Sequence, residues 1–253
     1  MSHRGTVIVY HGVGRAQPGE DPHELLVPSE TFEAQMAFLA RRRNVVPLGT
    51  LVEGVPRNSK PPVAITFDDA YRSVLETASP IMAKYDLPST LFVPTNWVGR
   101  RNGWIVPPTN LLEIMDAQQI LEVEQQGIAV ESHGHGHINY VTSAPQEIEA
   151  DVRMSIERLT ETIGHSPRYL AYPFGPTSAA AMQIVEKLGF EAAFTIERPH
   201  QGPFAFERVW IRPRYGLRVF ALKTSGYWSA SLRWSRVGRM GAAAVRPFID
   251  RHR

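Results

Sequence analysis

Two aspartates stand side by side at Asp68 and Asp69, at the end of the run Val63-Ala64-Ile65-Thr66-Phe67, and a histidine cluster, Ser132-His133-Gly134-His135-Gly136-His137, follows them. An apolar, β-branched run ending in two carboxylates reads as a buried strand that delivers both to its C-terminal tip, where they repel unless a cation or a proton intervenes. The histidines make a divalent metal the natural cation. An ion held by His133, His137 and one carboxylate has three protein ligands, leaving positions for water and a substrate oxygen. The other carboxylate can then act as general base on that water. This is the apparatus for hydrolysing an amide or an ester.

The elements that must position these residues alternate. Strand patterns at Thr6–Tyr10, Asn44–Leu48, Val63–Phe67, Ser89–Val93, Ile128–Glu131, Tyr169–Tyr172 and Ala192–Thr195 are separated by helical patterns. The helices are expected to open at Ser29 as N-cap, to span Tyr71–Tyr85 with a kink at Pro80, and to cover Asn110–Gln126, Pro145–Ile163 and Ser178–Leu188, the last closed by Gly189. Residues 94–108, rich in Trp, Gly and Pro, read as a long loop. Such alternation requires parallel pairing with right-handed crossovers, which leaves a doubly wound sheet or a barrel. His11, Asp68, Asp69, His133 and Pro173 all fall just past strand ends, the face on which such folds build sites. A barrel gathers them more easily, so an α/β barrel is expected.

Composition narrows the classes. A chain of 253 residues with 21% charged residues can bury one large α/β domain, and no apolar run is long enough to span a membrane. There are no cysteines, so neither disulfides nor thiolate ligands are available. A net charge of +2 does not indicate a nucleic-acid partner. The basic excess sits in residues 225–253, where Arg233, Arg236, Arg239, Arg246, Arg251 and Arg253 face the single acid Asp250, with Tyr227, Trp228, Trp234 and Phe248 interleaved. A solvated terminus is the plainer reading of this tail, and peripheral contact with an anionic membrane is the alternative. The N-terminus leads straight into a strand without a signal-peptide core, so a cytoplasmic location, with membrane association on the inner face as a variant, is expected.

The motifs resemble a known family. Thr66-Phe67-Asp68-Asp69-Ala70-Tyr71 resembles the TFDDG motif, and Ser132 to His137 the SH(S/T)xxH motif, of the polysaccharide deacetylases, the NodB-like carbohydrate esterases. Ala171-Tyr172-Pro173-Phe174-Gly175 is similar to their third motif, and the likeness, closest in pattern to the poly-N-acetylglucosamine deacetylase branch, runs from Val7 to Phe194. The resemblance implies a distorted (β/α)7 barrel over residues 1–224, followed by the tail at 225–253. It implies removal of an N-acetyl group from an amino sugar in a polysaccharide, oligosaccharide or glycan precursor. By position it makes Asp68 the general base and Asp69, His133 and His137 the ligands of one divalent ion, zinc first, with cobalt, nickel and manganese as alternatives. A water on that ion is the nucleophile, the Phe174 N–H helps stabilise the oxyanion, and His11 is the acid that protonates the departing amine.

The chain departs from the family at Ala70, where Gly is usual, at Gly134, where Ser or Thr is usual, and at Ala171, where many members carry an arginine that orients the base. Arg212 or Arg214 is expected to take over that task. No C-terminal Leu-x-His motif is evident, which favours His11 as acid. Tyr71, Pro173, Trp97, Trp104 and Trp210 are the expected substrate-binding residues, with packing over the barrel rim as the competing account of the tryptophans. His135 is expected to be a bystander, and His165 and His200 surface residues. Two alternatives remain for the whole: a C–N hydrolase of the same fold acting on a small amide or ureide, and a carbohydrate-binding protein with a degenerate site.

Overall fold

In a computed structural model of the chain, the described residues are 5–17, 19–55, 60–105, 112–196, 202–226 and 228. The strands are β1 (Thr6–Tyr10), β2 (Gly12–Val13), β3 (Leu26–Val27), β4 (Asn44–Val45), β5 (Pro62–Phe67), β6 (Ser89–Val93), β7 (Ile128–Ser132), β8 (Tyr169–Ala171), β9 (Ala192–Ile196) and β10 (Phe206–Trp210). The helices are α1 (Ser29–Arg42), α2 (Leu48–Glu53), α3 (Ser79–Ala83), α4 (Ala117–Gln125), α5 (Pro145–Ile163), α6 (Ala179–Lys187) and α7 (Leu217–Lys223). Strands β5 to β10 pair in chain order, all parallel, and β1 pairs with both β10 and β5. Seven strands thus close into the expected barrel, and β4 only covers the first residues of one edge of β5.

The two-residue period of each strand sorts its side chains. Ile8, Tyr10, Ile65, Phe67, Leu91, Val93, Val130 and Val209 pack outward with residues of α1, α3, α4 and α7. Leu170 and Ala193 pack outward against α5 and α6. The alternate set, Val7, Ala64, Phe92, Tyr169, Ala171, Ala192 and Phe194, fills the interior, joined by Leu48 and Leu51 of α2, which plugs the end where the strands begin. Continuing the inward phase carries His11, Asp68 and His133 to the other end. The β7–β8 seam is the weak one, with Ser132 opposite Leu170 as its only register pair. The inward carboxylate of Glu131 accepts the N–H groups of Arg168 and Tyr169, at 2.7 and 2.8 Å, in place of the missing ladder.

Several local expectations are corrected. Pro28, with φ −54° and ψ 138°, takes the capping position of α1 in place of Ser29 and makes no side-chain cap bond. The helix expected over Tyr71–Tyr85 is a π-helical turn, Val74–Ala78, running into α3 with Pro80 in its first turn. Helix α4 starts at Ala117, later than expected, because Asp116 and Gln119 form a reciprocal capping box. Before it, Glu113 and Ile114 bridge to Arg101 and Tyr71 as extended chain. Strand β10 and helix α7 were not expected at all. Of the basic tail, only Ser225, Gly226 and Trp228 lie within the described residues, and Trp228 packs against the main core. Residues 106–108 of the long loop, and His200, also lie outside them. Among the described residues, no helix is long and apolar enough to cross a membrane.

Candidate metal and catalytic site

At the C-terminal end of β5 the backbone turns sharply. Asp69 and Ala70 have φ of 70° and 52°, in the left-handed region that favours glycine. This conformation at Ala70 explains why glycine is usual there, and the Ala70 carbonyl is held by the Met115 N–H at 2.9 Å. Across the barrel mouth, His137 (φ 55°) and Phe174 (φ 62°) are in the same region. Four of the six described non-glycine residues with positive φ are therefore in the motifs, the pattern expected where the surroundings hold a site in a costly conformation.

The strain aims side chains at one point. Nε2 of His133 and Nε2 of His137 lie 3.4 and 3.3 Å from Oδ1 of Asp69, and all three residues are buried. Nδ1 of His133 is 2.8 Å from the Ala171 carbonyl, which can only accept, so Nδ1 carries the proton and Nε2 keeps its lone pair toward Asp69. Asp69 Oδ1 itself has no hydrogen-bond partner among the described residues. An orphaned buried carboxylate oxygen facing two imidazole nitrogens is a donor set suited to a divalent ion of the zinc type.

Asp68 faces a different partner. Burial raises its pKa, but the Arg208 guanidinium outweighs this and holds it below its ordinary value. The two groups meet as a fork, NH1 to Oδ1 and NH2 to Oδ2, both at 2.7 Å, with NH1 also 3.3 Å from the Thr66 hydroxyl. This corrects the expectation for Arg212 and Arg214. Both pair instead with Glu24, Arg212 through NH1 at 2.6 Å. Arg208 is an inward residue of β10, two before Trp210, and lies over the Phe92 ring at 5.2 Å. Residue 171, where family members carry their arginine, is also inward-facing, so the guanidinium reaches the same interior from a different strand.

The remaining residues line the mouth. His11 is 9% exposed, its ring 5.0 Å from that of Trp210, and its Nδ1 has no partner among the described residues. Burial lowers its pKa, with Asp69 and Asp68 pulling the other way. Phe174 packs edge-on to His137 at 4.6 Å, in a turn closed by Gly175 N–H to the Tyr172 carbonyl. Trp104 stacks on His137 at 4.1 Å and Trp97 meets Trp104 edge-on at 5.1 Å. The Trp97 indole N–H donates to the Gly136 carbonyl at 3.1 Å. These two half-buried tryptophans therefore wall one side of His137. Trp210 lies beside His11 and 3.9 Å from the Arg212 guanidinium.

Tyr71 is corrected as a sugar contact, because it is 1% exposed and its hydroxyl accepts from Asn102 at 3.0 Å. Pro173 is buried as well. His135 is half-buried, with its Nδ1 2.8 Å from the Thr95 hydroxyl. His165 is an exposed residue paired with Glu124.

A family model described as polysaccharide deacetylase matches residues 56–193, just over half of the chain. The poly-beta-1,6-N-acetyl-D-glucosamine N-deacetylase of Staphylococcus epidermidis is 25% identical over 218 residues, covering 78% of this chain and 73% of that protein. The Streptococcus pyogenes deacetylase PplD, solved with acetate, superposes with a TM-score of 0.74 at 20% identity, covering 89% of this chain and 99% of that one. IcaB from Ammonifex degensii gives 0.73 at 23% identity, covering 88% and 98%. The two structural likenesses are likenesses of fold.

Proposed function

Because the chain belongs to the polysaccharide deacetylase family, we propose that it is a metal-dependent hydrolase that removes N-acetyl groups from an amino sugar in a polysaccharide, oligosaccharide or glycan precursor. The observation that carries this reading is the pairing of two unlike carboxylates at one strand end. Asp69 faces two imidazole nitrogens, while Asp68 is held ionised by a guanidinium fork. The relative from Staphylococcus epidermidis, named for de-N-acetylation of a poly-N-acetylglucosamine, supports the substrate class.

Asp69, His133 and His137 would hold the ion, with zinc fitting a mixed imidazole and carboxylate set. Such an ion supplies Lewis acidity, polarising the acetyl carbonyl and making water easier to deprotonate. Asp68 takes the proton of the attacking water as the new C–O bond forms, and Arg208 fixes the direction of its lone pairs. The Phe174 N–H donates to the carbonyl oxygen as it gains charge. When the C–N bond breaks, the amine needs a proton, and His11 stands at the mouth to give it. Burial makes a protonated His11 readier to release that proton. The products are acetate and the free amino sugar.

One departure that favours a degenerate site has a counterpart in the fold: the Arg208 guanidinium pairs with Asp68 where Ala171 offers none. The test is a screen of the zinc-reconstituted protein that follows acetate release from N-acetylglucosamine oligomers and amine or ammonia release from small ureides. Release from the oligomers alone is expected. Turnover confined to the ureides would favour the C–N hydrolase alternative, and binding of oligomers without release would favour the non-enzymatic one.

A further inference from the structure

In the turn from Ser132 to His137, Gly134, His135 and Gly136 have both their backbone groups engaged. Its carbonyls face the loop after β6: Thr95 N–H donates to Gly134 at 3.2 Å, Asn96 N–H to His135 at 3.0 Å and the Trp97 indole to Gly136 at 3.1 Å. On the other side, Gly134 N–H donates to the Ser132 hydroxyl at 3.1 Å. The next two N–H groups go to one side chain on α5. Asp151 accepts from His135 N–H at 2.9 Å through Oδ2 and from Gly136 N–H at 2.6 Å through Oδ1. Its Oδ2 also accepts the Tyr140 hydroxyl at 2.6 Å. Asp151 is 8% exposed and Tyr140 fully buried, and burial pushes the Tyr140 phenol well up, so it remains a donor.

This arrangement excludes a side chain at residue 134. A Cβ there would come within 2.7 Å of both Asp151 Oδ2 and the Tyr140 oxygen, and Gly134 has a φ of +73°. The family hydroxyl expected at 134 and the Asp151 carboxylate thus compete for one space. We infer that Asp151, with Tyr140 behind it, is a positioning residue that sets the metal-binding geometry of the His133–His137 turn, replacing from α5 a brace that a glycine at 134 cannot supply. The inference rests on the reading of Asp69, His133 and His137 as a metal centre. Its physical basis is that His137 sits at φ 55°, a conformation that persists only when neighbouring bonds over-determine it. Without the carboxylate fork, the two N–H groups before His137 lose their acceptors and the imidazole loses its aim.

A purely structural role, tying α5 to the barrel, would predict loss of stability alone. The experiment titrates zinc against a chromophoric chelator at a temperature where every protein is folded by circular dichroism, for the wild type, Asp151→Asn, Tyr140→Phe and Val152→Ala. Asp151→Asn keeps the shape but turns an amide donor toward an N–H, so its zinc affinity should fall by about tenfold or more, the usual effect of removing an outer-shell partner. Tyr140→Phe, which keeps the carboxylate, should lose a few-fold. Val152→Ala removes a fully buried methyl pair one residue along α5 and should lower the melting temperature with unchanged zinc affinity. Wild-type affinity in Asp151→Asn, or an equal loss in Val152→Ala, overturns the inference. Should Asp151→Asn not fold, an unchanged affinity in Tyr140→Phe overturns it. A wild type that binds no zinc at all defeats the metal-centre reading instead, and the inference falls with it.

Discussion

Replacing Arg208 with glutamine tests how a carboxylate is kept ionised inside the barrel. Arg208 and Asp68 have side-chain exposures of 0% and 1% and share two bonds of 2.7 Å. Breaking such a pair by removing one partner costs about 3–5 kcal/mol. The protein can limit that loss by protonating Asp68. From a usual value of about 3.9, neutralising the carboxyl at about pH 7 costs roughly 4 kcal/mol, and at about pH 5 roughly 1.5 kcal/mol. Arg208→Gln should therefore be destabilised by about 4 kcal/mol at neutral pH and by about 1.5 kcal/mol near pH 5. The sign follows from linkage. In the wild type the Asp68 pKa is depressed, so its stabilisation is present above the unfolded value and lost on acidification. In the variant that pKa is raised, so stability is lost as pH rises. Urea denaturation in chelator of the wild type, Asp68→Asn, Arg208→Gln and the double variant measures both points. The double variant, with neither charge of the pair, should be less destabilised than the sum of the singles by about 1–3 kcal/mol. A pH-independent penalty below about 1 kcal/mol, or strict additivity, would refute the reasoning.

Two further outcomes follow from the fold. Burial, opposed by the Tyr169 and Arg168 N–H groups, pushes the Glu131 carboxyl from 4.5 to about 7. The folded state thus holds this proton more tightly, and up to about 3 kcal/mol of stability present below the unfolded value is lost as pH rises through that window. Glu131→Gln keeps an oxygen for the two N–H groups and should flatten the rise-in-pH loss, read as denaturation midpoints from about pH 5 to pH 8 in chelator; an unchanged slope contradicts it. Gly134→Ala adds a methyl 2.7 Å from Asp151 and Tyr140 atoms at φ +73°. It should cost about 2–4 kcal/mol by thermal or urea unfolding, and a neutral result would mean the turn has room.

Much of the site was legible because its residues lie next to strong local patterns. The runs ending at His11 and Asp68 are short, β-branched and apolar, that leading to His133 opens on the apolar Ile128-Ala129-Val130, and each is a stave of the barrel. Arg208 was hidden because β10 reads Phe-Glu-Arg-Val-Trp, with charges where a buried strand normally shows none. Its carboxylate partner is 140 residues away in sequence, and local periodicity does not register such a pairing. Only the alternation of Phe206, Arg208 and Trp210 could have signalled an inward guanidinium. Asp151 was missed for the same reason, being an acid in the buried stripe of α5 among Ile148, Val152, Ser155 and Leu159. The Asp116–Gln119 capping box was in plain view and marked the true start of α4.

Metal content and acetate release, measured together on the wild type, Asp68→Asn and His133→Ala, test the account most directly. With N-acetylglucosamine oligomers as substrate, the wild type should hold about one zinc and release acetate, as expected of three protein ligands with open positions. Asp68→Asn should keep the metal and lose acetate release, because it removes the base and spares the ligands. His133→Ala should lose both. Acetate release at the wild-type rate by Asp68→Asn, or full metal retention by His133→Ala, would contradict the assignment of one aspartate to the proton and the other to the ion.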